Sequence, residues 1–250
     1  MQPADLTALD PGTVAVLVDF DGSLAPVVER PEDVVPFPEA VPVLERLIAT
    51  VGLVGVVSGR PVEFLLDRLM IPGLAVVGQY GLEQAGPDGV ILDPRVAPHV
   101  DAVAAARAEA ESIWPDLYIE RKGVVAFTVH WRARPDRDVH DEVRALAARH
   151  GLAVHRGRMA CEVRPPLDVD KGSAVETLIA EYDGALFAGD DTGDLPAFAA
   201  VATAAIGVRV GVRSPEAPSE LEAAVDVMVD GPAGVVALFD EMIDAFSRQP

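Results

Sequence analysis

Apolar residues recur along the chain in short unbroken runs, most of them closed by Gly, Pro or acidic residues. The first, Val14-Ala15-Val16-Leu17-Val18, is apolar at every position, which predicts a strand covered on both faces. It ends in Asp19-Phe20-Asp21-Gly22-Ser23, where Gly22 lets the backbone turn sharply. Further strands are predicted at 51–57, 74–77, 185–188, 203–208 and 225–229. Between them the spacing becomes helical: 38–50 places Val41, Leu44, Leu47 and Ile48 on one side, Pro61 opens a second helix, and further helices are predicted over 171–182, from Leu195 and from Gly231. The turn Gly86-Pro87-Asp88-Gly89 predicts a hairpin of 81–83 with 90–92.

The middle of the chain reads differently. A helix over 100–113 is followed by strands over 117–121 and 124–132, then a helix over 138–150 is followed by strands over 152–156 and 159–164. Helix–strand–strand, made twice, predicts a small α+β domain with an antiparallel sheet, with Trp114, Tyr118 and Phe127 in its core. The fold class is therefore α/β: a doubly wound, Rossmann-like parallel sheet from residues 1–95 and 166–250, with an inserted α+β cap over 96–165. Proline-containing linkers near 93–98 and 164–168 would let the cap close over a small ligand.

In an open parallel sheet, ligands bind beyond the carboxyl ends of the strands. Asp19 and Asp21 stand at one such end, Ser58-Gly59-Arg60 at another and Asp190, Asp191 and Asp194 at a third. Close carboxylates repel unless a cation lies between them, and oxygen ligands suit Mg²⁺. A strand-end hydroxyl beside a helix start suits an anion. Singly, each has a plainer reading: an Asp-Gly turn for the first, a Ser N-cap for the second.

Composition narrows the setting. The 250 residues carry a net charge of −20, which argues against nucleic acid and acidic membranes as partners. No apolar run reaches the roughly 18 residues of a membrane span, and residues 1–12 lack the pattern of a signal peptide. Cys161 is the single cysteine, so an internal disulfide is excluded. A cytoplasmic protein, working as a monomer on a small molecule, is the expectation. Of the 20 basic residues only Lys122 and Lys171 are lysines. Where arginine serves every generic need, a retained lysine suggests a site for a compact ammonium.

Asp19/Asp21, Ser58, Lys171 and Asp190/Asp191/Asp194 together supply a carboxylate nucleophile, a second acid, a hydroxyl and an ammonium for phosphate oxygens, and a metal site, the parts phosphoryl transfer needs. In this order the four clusters resemble the motifs of the haloacid-dehalogenase-like phosphatase superfamily, with Ser23 where Thr is usual. The resemblance implies that Asp19 attacks phosphorus, that Asp21 is general acid and then base, that Asp19, the Asp21 carbonyl and Asp190 hold Mg²⁺, that Ser58, Gly59 and Lys171 hold phosphate, and that Asp191 and Asp194 support them.

Within the superfamily the chain is most similar to trehalose-6-phosphate phosphatases. Ser58-Gly59-Arg60, Glu120-Arg121-Lys122-Gly123 leading to His130-Trp131-Arg132, and Glu162-Val163-Arg164-Pro165 followed by Asp170-Lys171-Gly172 carry that similarity. It implies that Arg60, Glu120, Lys122 and Glu162 contact the substrate. Tyr80 stands where that family usually has His, and Leu195-Pro196 where it carries more acids. The expected activity is Mg²⁺-dependent hydrolysis of trehalose 6-phosphate. Alternatives are another sugar phosphate, such as a glucosylglycerate or sucrose phosphate, and a signalling receiver domain, which shares clustered acids, a hydroxyl and a lysine.

Overall fold

The computed structural model describes residues 2–28, 30–157, 159–214 and 220–248. In chain order its strands are β1 (Val14–Val18), β2 (Leu53–Val57), β3 (Ala75–Gly78), β4 (Glu83–Gly86), β5 (Gly89–Leu92), β6 (Tyr118–Lys122), β7 (Ala126–His130), β8 (Ala153–Gly157), β9 (Ala160–Arg164), β10 (Gly184–Gly189), β11 (Ile206–Arg213) and β12 (Val227–Asp230). The helices are α1 (Pro3–Leu6), α2 (Ala40–Ile48), α3 (Val62–Leu69), α4 (Val100–Ile113), α5 (His140–Arg149), α6 (Lys171–Ile179), α7 (Leu195–Val201), α8 (Glu220–Ala224) and α9 (Gly231–Phe246). The chain divides into two compact units, one of Met1–Val90 with Val169–Pro250, the other of Ile91–Asp168.

An eight-stranded sheet runs in the order β12-β11-β10-β1-β2-β3-β4-β5. β1 lies parallel to both its neighbours, with Val16 opposite Leu186 of β10 and Val54 of β2. All five residues of β1 are buried, and the reason is their alternation. Val14, Val16 and Val18 join one core with Leu44, Leu47, Leu65, Phe239 and Met242 from α2, α3 and α9. Ala15 and Leu17 join a second with Val175, Ile179 and Phe198 from α6 and α7. Helices thus cover both faces of the sheet, and the strand order reverses at β1, the place where doubly wound sheets bind ligands.

Several boundaries differ from expectation. β11 continues to Arg213 rather than ending at Val208. Its Gly207 and Gly211 are points of close approach. A Cβ on Gly207 would meet Val201 O at 2.1 Å, and one on Gly211 would meet Met228 Sδ at 2.3 Å. The expected linker over 93–98 is a 3₁₀ turn, Pro94–His99, capped by Asp93. The first hairpin strand is Glu83–Gly86 rather than 81–83, because Gln79–Gly81 form a 3₁₀ turn, and the second starts at Gly89; α1 and α8 are too short to leave a period in the sequence.

The second unit holds an antiparallel sheet in the order β6-β7-β9-β8. Phe127, Val129, Cys161 and Val163 face a core with Trp114, Val143 and Leu146. Tyr118 is not in that core. It belongs to the opposite set of an alternating strand, with Glu120 and Lys122, and is 48% exposed, stacked on His130 at 5.4 Å. Among the described residues no helix is long and apolar enough to cross a membrane.

Phe239 is fully buried on α9 against the central sheet. Phe239→Ala is expected to cost about 3–5 kcal/mol of unfolding free energy in urea titration. A loss under about 1 kcal/mol would mean that α9 does not seal this face.

Candidate active site

The carboxyl ends of β1, β2 and β10 share one edge of the first unit's sheet, because the three strands are parallel and in register. After β1, Asp19 keeps the ladder going, its N–H donating to Ala188 O at 2.9 Å. Phe20 turns into the core, edge-on to Phe64 at 6.1 Å, so Asp19 and Asp21 are left on the other side. The loop then closes on itself, with Leu24 and Ala25 both donating to Phe20 O. Gly22, at φ +76°, is required: a Cβ there would lie 2.0 Å from Asp190 Oδ2.

Asp19 is buried, and its Oδ1 lies 2.8 Å from Lys171 Nζ. Lys171 opens α6, behind the N-cap Asp170, whose carboxylate accepts from Ser173 N. Its ammonium also donates to Asp194 Oδ1 at 2.6 Å. Asp194 Oδ2 in turn accepts from the N–H groups of Asp190 (2.9 Å) and Asp191 (3.1 Å). Asp194 therefore ties the loop after β10 to the lysine, with both its oxygens engaged. Asp191 points outward, where its Oδ1 caps the turn through Gly193 N.

Asp19, Asp190 and Asp194 offer carboxylate oxygens within 4.8 Å of one another, all buried. Three carboxylates around one ammonium leave formal negative charge in a place shielded from water. Burial, with Asp194 beside it, raises Asp190 to about 7. Burial also raises Asp19 well above its ordinary range, against the pull of Lys171. Burial works to lower Lys171, but Asp19, Asp194 and Asp191 outweigh it and hold the amine firmly protonated. A compact set of oxygens with uncompensated charge fits a divalent cation. The Asp21 carboxylate is not part of this set. The resemblance assigns the ion its carbonyl, and the side chain is turned to Arg60.

Arg60 grips Asp21 with two hydrogen bonds of 2.7 Å, from Nε and Nη2, and donates to Pro31 O from Nη1 at 3.1 Å. Its guanidinium lies 4.6 Å from the Phe64 ring centroid. Ser58 is buried at the end of β2 with its Oγ accepting from Arg60 N at 3.2 Å. Gly59 lies against the Tyr80 ring: a Cβ would meet the ring Cζ and the hydroxyl at 2.6 Å. Gln79 and Tyr80 both take left-handed φ (50° and 60°) to fit this corner.

Three groups escaped the sequence reading. The Asp21–Arg60 pair joins residues 39 positions apart, and spacing carries no sign of it. Ser214, hydrogen-bonded to Asp190, follows β11 at the same sheet edge, beyond the strand end at Val208 that the sequence predicts. Glu83 is buried, raised by desolvation, and accepts from Val62 N at 2.8 Å, capping α3 and so holding the loop that carries Ser58.

The remaining expected site residues lie in the second unit. Glu120 Oε2 is 2.9 Å from His130 Nε2, and Lys122 Nζ is bonded to Glu162 Oε2.

Without a cation, Asp190 should oppose folding as it ionises. Its folded value lies above its usual 3.8, so the folded state binds the proton more tightly. The associated stability is present at low pH and is lost as pH rises through about 4 to about 7. In chelator, Asp190→Asn should therefore gain melting temperature relative to the unsubstituted protein across that window, and a divalent cation should close the gap. A gap that is constant with pH would remove Asp190 from the charged cluster.

A family model described as trehalose-phosphatase matches residues 17–226. A protein of Mycobacterium avium (strain 104) named trehalose-phosphate phosphatase is 34% identical over 249 residues, covering 94% of this chain and 63% of its own. One of Mycobacterium marinum with the same name is 32% identical over 222 residues, covering 84% and 56%. The chain thus spans about three fifths of the length of these relatives. The crystal structure of a trehalose-6-phosphate phosphatase related protein superposes with a TM-score of 0.76, covering 94% of this chain and all of that one. At 20% identity that likeness shows the fold alone, a haloacid-dehalogenase-like one. With its acid cluster inside the matched span and more than half of its length under the family model, the chain belongs to the trehalose-phosphatase family.

Proposed function

We propose that the protein is a Mg²⁺-dependent phosphatase that hydrolyses trehalose 6-phosphate to trehalose and phosphate through a phosphorylated Asp19. The observation that carries this reading is the Asp19 carboxylate at the end of the central strand, 2.8 Å from a buried, protonated Lys171 and beside Asp190.

Asp19 Oδ attacks phosphorus and the bond to the sugar oxygen breaks. Asp21 supplies the proton that the leaving oxygen takes up. Water then attacks the phosphorus of the acyl phosphate, Asp21 takes its proton, and the Asp19 carboxylate is released. Asp21 stands two residues along from the nucleophile and on the same side of the chain, which suits both transfers. Arg60 holds Asp21 here, and the incoming phosphate offers its guanidinium a second anion. Lys171 and Ser58 neutralise and bond phosphate oxygens that gain charge. Asp19, Asp190 and the Asp21 carbonyl would hold Mg²⁺, which neutralises charge on the transferring phosphoryl group. Asp194 keeps Lys171 and the Asp190 loop in place. In the second unit, Glu120, Lys122 and Glu162 bind the uncharged sugar through its hydroxyl groups.

Asp19→Asn keeps the shape and removes the nucleophile. Turnover of trehalose 6-phosphate, followed by phosphate release, is expected to fall on the order of 10⁴-fold or more, by analogy with other covalent nucleophiles. Retention of a tenth of the activity would refute the covalent route. Chelation should abolish activity and Mg²⁺ restore it, with a rise in melting temperature as the ion binds the folded state. Full activity in excess chelator would show that the cluster holds no working metal.

A further inference from the structure

Away from the acid cluster, buried polar side chains concentrate on one face of the second unit's sheet. Strand register places Glu120, Thr128, Glu162 and His155 in one row across β6, β7, β9 and β8. Side chains adjacent in such a row have Cβ atoms about 4.5–5.5 Å apart. The row is held firmly. His130 Nε2 meets Glu120 Oε2 at 2.9 Å while its ring is stacked on Tyr118, and Glu162 Oε2 takes the Lys122 ammonium.

Two oxygens in the middle are left over. Thr128 Oγ1 and Glu162 Oε1 are both buried, and neither has a hydrogen-bond partner among the described residues. Thr128 is 5% exposed and Glu162 7%. Buried polar atoms left this way are uncommon and costly, and they mark where a partner belongs. The chemistry of the pair defines that partner. An ionised Glu162 oxygen only accepts, and a threonine hydroxyl can donate. A group that donates to one and accepts from the other is a neutral hydroxyl. A fully ionised phosphate oxygen has no proton to give Glu162 Oε1, so it cannot bridge the pair.

We propose that Thr128 determines specificity for the sugar: its hydroxyl donates to one sugar hydroxyl, which donates in turn to Glu162 Oε1. The assignment rests on the phosphatase reading and deepens it.

Thr128→Val keeps the shape and removes the hydroxyl, and Thr128→Ser keeps the hydroxyl. In Thr128→Val, kcat/KM for trehalose 6-phosphate should fall about 3- to 10-fold more than for p-nitrophenyl phosphate, chiefly through KM. The melting temperature should not fall, because no internal hydrogen bond is lost. Thr128→Ser should recover most of the difference. Calorimetric titration with trehalose supplies an arm that needs no turnover: its Kd should rise by the same 3- to 10-fold in Thr128→Val. Equal losses on the two esters, or an unchanged Kd for trehalose, would overturn the proposal. So would a lower melting temperature with specificity intact, which would mean that a buried water satisfies the hydroxyl. If the unsubstituted protein released phosphate from neither ester, the phosphatase reading would fail, and the trehalose titration would still test Thr128.

Discussion

The ammonium of Lys171 is the point on which the first unit's chemistry depends. Carboxylates from the ends of two different strands approach one another in a buried place, and by themselves they would repel or stay protonated. Lys171 lies between Asp19 and Asp194 and bonds to both. Asp194 passes that restraint to the backbone N–H groups of Asp190 and Asp191, so the whole loop after β10 is built on one cation. The arrangement is incomplete by design of its charges. One ammonium does not balance three acids, and the remaining charge suits a divalent cation and the proposed phosphoryl transfer. A guanidinium could not replace the lysine easily, since the space admits a point donor at 2.6 and 2.8 Å rather than a planar fork.

Much of this is legible in the sequence. β1 announced itself because a parallel central strand is apolar at every position, and its two acids stood out against that run. Lys171 was conspicuous in a chain that otherwise uses arginine. What stayed hidden follows from the same physics. The apolar run stops at Val208, before Arg209, while β11 continues to Arg213 with Gly207 and Gly211 packed closely against Val201 and Met228, and Ser214 lies beyond it. The Asp21–Arg60 pair and the Glu83 cap on α3 join distant positions through tertiary geometry, for which no local period exists. Tyr118 was placed in a core on composition, where strand alternation would have set it with Glu120 and Lys122.

The two units use polar burial differently. In the first, charges cluster at one edge of an otherwise apolar double-faced sheet, and they are arranged to act on another charge. In the second, one row across the sheet, Glu120, Thr128, Glu162 and His155, is polar on all four strands. Such a row suits a ligand that is neutral and rich in hydroxyl groups. The proposed substrate, a sugar phosphate, likewise has one ionic half and one neutral half.

The most direct test asks which atom carries the phosphoryl group. The protein is mixed with trehalose 6-phosphate and Mg²⁺, quenched in acid within the first turnover, digested and analysed by mass spectrometry. The account predicts an acid-stable, hydroxylamine-labile phosphate on the peptide that contains Asp19, absent from Asp19→Asn. Rapid phosphate release with no labelled peptide at any quench time, or label on another residue, would contradict it.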